Sequence, residues 1–167
     1  FIQADVPPAR GLTQALGLMR SLPGFEVSES TITAATLDGA ELLLGVSFPP
    51  AFREIALRHD GAGGDCEFAV PGTAVPAALG GWLSLLPWAQ DSLWSVLATW
   101  PEHGLPKNVI PFGTDGGGNL VCLDYREGPL PGVVLWHHEL PGTEGLHPVA
   151  ASFDRWLSSL VAVADEA

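Results

Sequence analysis

The run Thr114-Asp115-Gly116-Gly117-Gly118-Asn119 has the glycine density of a loop that wraps a phosphate. Such a cradle needs a lysine and a hydroxyl residue entering a helix behind the last glycine, or a helix N-terminus facing a dinucleotide. Here Asn119 leads into Leu120-Val121-Cys122-Leu123, a strand-like run. Asp115 to Asn119 therefore reads as a hairpin turn whose glycines supply positive φ. His137-His138-Glu139, with His147 nearby, offers metal-ligating side chains. Adjacent strand residues point to opposite faces and no HExxH-type spacing is present, so these histidines read as packing or surface groups, and no metal is expected. Gly45-Val46-Ser47-Phe48-Pro49 carries proline where a nucleophile elbow needs its last glycine. Ser152 stands where a helix N-cap belongs. Asp124 and Glu127 resemble an acid–base pair, but a chain with 19 Asp and Glu offers many such pairs by chance. These residues nominate no catalytic group and no cofactor. A hydrolase built on His137, His138 or Asp124 stays open as an alternative.

The bulk composition narrows the partners. A chain of 167 residues with 47% hydrophobic residues is expected to form a single domain over 1–167 with a sizeable core. Its apolar runs are too interrupted to span a membrane. Seven Lys and Arg against 19 Asp and Glu leave a net charge of −12. That excludes the basic stripe that nucleic acid requires, and it disfavours anionic membrane surfaces. An acidic surface can steer a basic protein partner, or merely keep the chain in solution. Cys66 and Cys122 lie far apart inside apolar segments and read as buried, reduced thiols. Phe1-Ile2-Gln3-Ala4-Asp5 shows no secretory pattern. A cytoplasmic chain is expected.

The elements that must position these residues follow from periodicity and punctuation. Pro7-Pro8 and the spacing of Leu12, Leu16 and Met19 predict a helix over 9–22, with Phe25 to Ile32 as a connector or short strand. A second helix is predicted from Thr33 to Leu44, ended by Gly45. A third opens at Pro49-Pro50 and runs from Ala51 to Asp60 with Phe52, Ile55, Ala56 and His59 on its buried stripe. Cys66 to Val70 reads as a strand, and Trp82 to Leu86 as a strand or helix lead-in. Asp91 is placed as the N-cap of a helix carrying Leu93, Trp94, Leu97 and Trp100. Three strands follow, at Asn108 to Phe112, Leu120 to Tyr125 and Val133 to His138. A last helix buries Phe153, Trp156, Leu157 and Leu160. Helices first, strands later and a final helix predict an α+β fold, with helices packed against an antiparallel twisted sheet. Most of the six tryptophans fall on apolar stripes, whereas Trp88, beside Pro87, is expected at the surface as a binding anchor.

The order of these features is similar to that of the SUKH superfamily, the Smi/Knr-type domains, over residues 33–160. The family's pattern is met by Glu41, Leu44-Gly45, Phe48-Pro49, Phe52 and Arg53. Its glycine turn is met by Asp60-Gly61 and Gly63-Gly64, with Ala62 interrupting. Its hairpin is met by Pro111, Asp115, Gly118, Asn119 and Asp124, and its last helix by Val149, Ala150, Ser152 and Phe153. These residues are mainly caps, turns and core. The resemblance implies a non-catalytic protein-binding module, a bacterial immunity protein that neutralises a toxin such as a basic nuclease. A regulatory or scaffold domain of the Smi/Knr type is the alternative it carries. On that reading Asp115, Asp124, Glu127, Glu139 and Trp88 are the expected partner-binding residues, in the hairpin region and the loop before Asp91.

Overall fold

The computed structural model describes residues 20–29, 32–140 and 142–163. The helix expected over 9–22 lies outside them for 9–19, and residues 20–22 are not helical. The first described helix, α1, spans Ala34–Leu44. Thr33 precedes it in an extended conformation, its backbone N–H donating to Thr36 Oγ1 at 3.1 Å. Gly45, at φ 71°, ends it by returning its N–H to the Glu41 carbonyl, the left-handed cap that glycine adopts without a Cβ penalty. Helix α2 (Pro50–His59) starts on its proline and buries Phe52, Ile55, Ala56 and His59, the stripe the spacing predicts.

Strands β1 (Gly63–Phe68), β2 (Ala77–Trp82), β3 (Val109–Thr114), β4 (Leu120–Asp124), β5 (Gly132–Trp136), β6 (Leu146–Ala150) and β7 (Val161–Ala162) form one curled sheet. Its order is β6-β5-β4-β3-β2-β1-β7, antiparallel throughout. Helix α3 (Leu93–Thr99) and a 3-10 turn (Trp100–His103) link β2 to β3, and helix α4 (Phe153–Ser159) links β6 to β7. The fold is the α+β arrangement expected.

Side-chain alternation feeds two cores, one on each face of the sheet. Val121 and Leu123 of β4 join the larger core, while Leu120 and Cys122 join the smaller. This double burial explains why β4 and β5 are apolar without interruption. In the larger core the Phe52 ring lies 4.6 Å from Phe48, 5.2 Å from Trp82 and 5.5 Å from Phe153. Trp156 packs edge-on to Phe112 and Phe68. Phe153 and Trp156 are buried as expected, whereas Leu157 is only partly covered. The smaller core sets Trp100 edge-on against Trp136 at 5.3 Å.

Two local expectations are corrected. The segment Trp82 to Leu86, expected as a strand or helix lead-in, holds only the last residue of a strand that begins at Ala77. A Cβ on Gly81 would sit only 3.3 Å from Thr114 Cγ2 of the neighbouring strand, so the bare backbone suits close pairing. The N-cap of α3 is Ser92, not Asp91: the Ser92 hydroxyl accepts from Trp94 N–H, while Asp91 stays exposed. Strand β6 is an edge strand that Pro148 and a mixed pattern hide in the sequence.

Candidate functional site

The family-like residues converge where α1 meets α2. Glu41, in the last turn of α1, accepts the Phe48 backbone N–H on Oε2 at 2.6 Å and the Arg53 guanidinium on Oε1. Arg53 also donates to Asp38 Oδ1 at 2.8 Å. These charge-assisted bonds fasten the Gly45–Pro49 loop between the two helices. From the far side, the Tyr125 hydroxyl donates to the Ser47 carbonyl at 2.7 Å, across 78 residues of sequence. Burial, with the Glu41 charge beside it, pushes the Tyr125 phenol well above its usual range, so it stays a donor. Glu41, Gly45, Pro49, Phe52 and Arg53 thus form one structural joint. Gly61, at φ 69°, turns the chain out of α2. Gly64 admits the Phe25 ring, which lies 2.2 Å from where a Cβ would stand.

Asp115 to Asn119 is the tight β3–β4 turn expected. Asp115 Oδ1 accepts from Gly117 N–H at 2.7 Å and Asn119 N–H at 3.1 Å, and Gly116 and Gly118 take positive φ. The Pro111 segment carries the irregularity in the β3–β4 ladder. Ser152 caps α4 by accepting from Arg155 N–H.

The expected partner-binding acids do not share one face. Asp115 and the exposed Glu139 lie at the end of β4 where Leu120 enters it, and Asp124 and the exposed Glu127 lie at the other end. A five-residue strand separates the two groups by roughly 15 Å. Sequence order concealed this, because β4 carries the chain across the sheet between them. Asp124 is also engaged locally: Arg126 donates through its backbone N–H, Nε and a terminal nitrogen at 2.9–3.0 Å. Burial raises the Asp124 carboxyl, but these bonds and the guanidinium charge outweigh it and hold the group below its usual range. Trp88 is 79% exposed, as expected.

The histidines separate as the pleat requires. His138 Nδ1 meets Asn119 Oδ1 at 3.0 Å and its ring lies edge-on to Trp100, while His137 lies edge-on to His147 at 4.7 Å. Among the described residues no group of three or more His, Cys, Asp or Glu is placed to hold a metal ion. Cys66 and Cys122 are buried free thiols. The sequence missed the role of His59, which is 1% exposed. Its Nδ1–H donates to the Glu26 carbonyl at 2.6 Å and its Nε2 accepts the Leu22 N–H at 3.2 Å. Only a neutral imidazole satisfies both partners. The next residue, buried Asp60, accepts from Ser84 Oγ and Leu85 N–H.

A profile of the SMI1 / KNR4 family (SUKH-1) matches residues 31–159, which takes in the α1–α2 joint, the whole β3–β4 hairpin and α4. The chain belongs to this family. SUKH-1 members are generally non-catalytic immunity proteins. This SUKH-1 chain is also similar to the SPbeta prophage-derived uncharacterized protein YokK of Bacillus subtilis (strain 168), with 32% identity over 78 residues. That match covers 43% of this chain and 36% of the relative, so the chain spans about a third of that protein's length. No solved structure matches it. No helix among the described residues is long and apolar enough to cross a membrane.

Proposed function

We propose that this SUKH-1 domain is a non-catalytic immunity protein, acting in the cytoplasm of the cell that makes it by binding and neutralising a basic toxin domain. Family membership across residues 31–159 carries the reading. The net charge of −12 supports a basic partner. An acidic inhibitor competes for a cleft built to hold phosphates, and it is steered there by long-range attraction. Nucleic acid and anionic membranes are repelled by the same field.

Where the gene beside this one encodes a toxin domain, that domain is the test partner, and a neighbour that encodes none counts against the reading. Co-expression of this chain should rescue cells from that toxin. The association rate of the purified pair should fall steeply as ionic strength rises. Glu127→Gln should slow association at low salt, whereas Asp124→Asn acts less cleanly because Arg126 already neutralises that carboxylate. Absence of rescue and of binding would reject the immunity reading. A salt-independent rate, unmoved by Glu127→Gln, would reject the electrostatic part of it.

A further inference from the structure

The last turn of α1 presents two large apolar side chains to solvent. Leu42 is 83% exposed and Leu43 77%. Single exposed leucines need no explanation, but adjacent ones beside concave surface do. These two stand on a ridge between two clefts. One, of about 490 Å³, is lined by Glu41, Leu42, Val46, Asn108, Tyr125 and Pro129. The other, of about 460 Å³, is lined chiefly by Leu43, Leu44, Leu97, Leu105 and Ile110. Leu130, which follows Pro129 of the first cleft in the chain, is 90% exposed.

The ridge is not a frayed helix end. Gly45 and Val46 return their N–H groups to the Glu41 carbonyl, the Glu41 carboxylate holds Phe48, and Tyr125 holds Ser47. A surface fixed this firmly loses little conformational entropy on binding. On the first-cleft side the acids Asp38, Glu41, Asp124 and Glu127 outnumber Arg53 and Arg126, which pair with Asp38, Glu41 and Asp124. The carbonyl end of α1 carries partial negative charge and has no basic side chain in its last turn. Glu127 is exposed beside Gly128 in the cleft wall, and Asp38 stands one turn above Leu42. Among the described residues that line the two clefts, Lys107 is the single cation, and it lies in the second.

From these observations, and resting on the immunity reading above, we infer that the Leu42–Leu43 ridge with its two clefts is the docking surface for the basic protein partner. The partner would insert apolar side chains on both sides of the ridge and set Lys or Arg against Glu127 and the end of α1. A second copy of this chain is a poorer occupant, since it would bring −12 against −12.

The experiment measures binding of the same toxin domain to wild type, to the double variant Leu42→Ser/Leu43→Ser, to Leu130→Ser, to Val75→Ser and to Trp88→Ala. Val75 is 75% exposed and lines a recess with Asp115 at the opposite end of the sheet. The ridge variant should keep the wild-type melting profile and weaken binding by about 30-fold or more, as loss of a central hot spot does. Leu130→Ser should weaken it less, and Val75→Ser and Trp88→Ala should not. Leu130 lies outside any helix, so its variant keeps the question open to a clear answer if the double variant misfolds. Full affinity in both the ridge variant and Leu130→Ser would overturn the inference while leaving the immunity reading intact. So would a loss confined to Val75→Ser or Trp88→Ala. A wild-type dimer in sedimentation that the ridge variant abolishes would overturn it in favour of self-association. Failure of wild type to bind the toxin would remove both the reading and the inference.

Discussion

His59 ties the chain ahead of α1 to the end of α2 through one buried and one part-buried bond, and the tie holds only while the imidazole is neutral. Replacing it with Phe keeps a ring in the site but leaves the Leu22 N–H and the Glu26 carbonyl without their partner. Each buried polar group left unsatisfied costs about 1–3 kcal/mol, so His59→Phe should destabilise by about 2–5 kcal/mol at pH 8. The pH dependence gives the sharper test. Burial lowers the His59 pKa from 6.5; the bond to the Glu26 carbonyl opposes this and the Arg58 charge adds to it. The unfolded chain therefore takes up its proton first as pH falls. The contribution of His59 is fully present above the unfolded value and is lost as pH falls from there through the folded one. In that window it declines by at most about 1.4 kcal/mol per pH unit. Urea unfolding followed by tryptophan fluorescence at pH 8, 7, 6 and 5 should show the gap between wild type and His59→Phe narrowing below pH 6.5. His137, also depressed by burial and by His147, is present in both proteins and cancels in the difference. A gap that stays constant across the series would refute the claim that a neutral His59 holds this tie.

Three further outcomes follow from the packing. Trp156, fully buried between Phe112 and Phe68, should cost about 3–5 kcal/mol when cut to Ala, read as a lower urea midpoint. Gly64→Ala would set a Cβ 2.2 Å from the Phe25 ring and 2.6 Å from its Cα. Backbone must move to relieve that, so a loss of about 1–3 kcal/mol is expected in the same assay. Burial pushes the Cys66 thiol up to about 12 and Cys122 well above its usual value. Neither should react with a thiol reagent at pH 8 in the folded protein, and both should react after denaturation.

Much of the fold is legible in local chemistry. Gly45, Pro50 and Ser152 mark helix ends through their own backbone preferences, and the Phe52–Ile55–Ala56–His59 spacing gives the buried face of α2. The glycines after Asp115 specify a turn with no help from elsewhere. What local chemistry hides is long-range partnership. Nothing near Gly80-Gly81 says that Thr114 will lie against it, and nothing near His59 says that Leu22 will need an acceptor. The site suffers most. Glu41 and Asn108 share a cleft wall although they lie far apart in sequence, and Asp115 and Asp124, near in sequence, are parted by a whole strand. Acidity is visible in composition, but which acids share a surface is decided only by the sheet.

The sheet order also fixes when this protein becomes safe to leave unattended. Cys66 and Glu67 of β1 find their outer partners in Ala162 and Val161, near the end of the described chain, and among the described residues the Phe25 bridge to Gly64 covers that edge from the N-terminal side. On a ribosome adding about 5–20 residues per second, β1 is complete roughly 5–20 s before its last neighbour is made. Through that interval the nascent chain shows an unpaired backbone ladder, open to pairing with another nascent chain. The hazard belongs to biosynthesis, and the two-residue strand β7 brings it to a close.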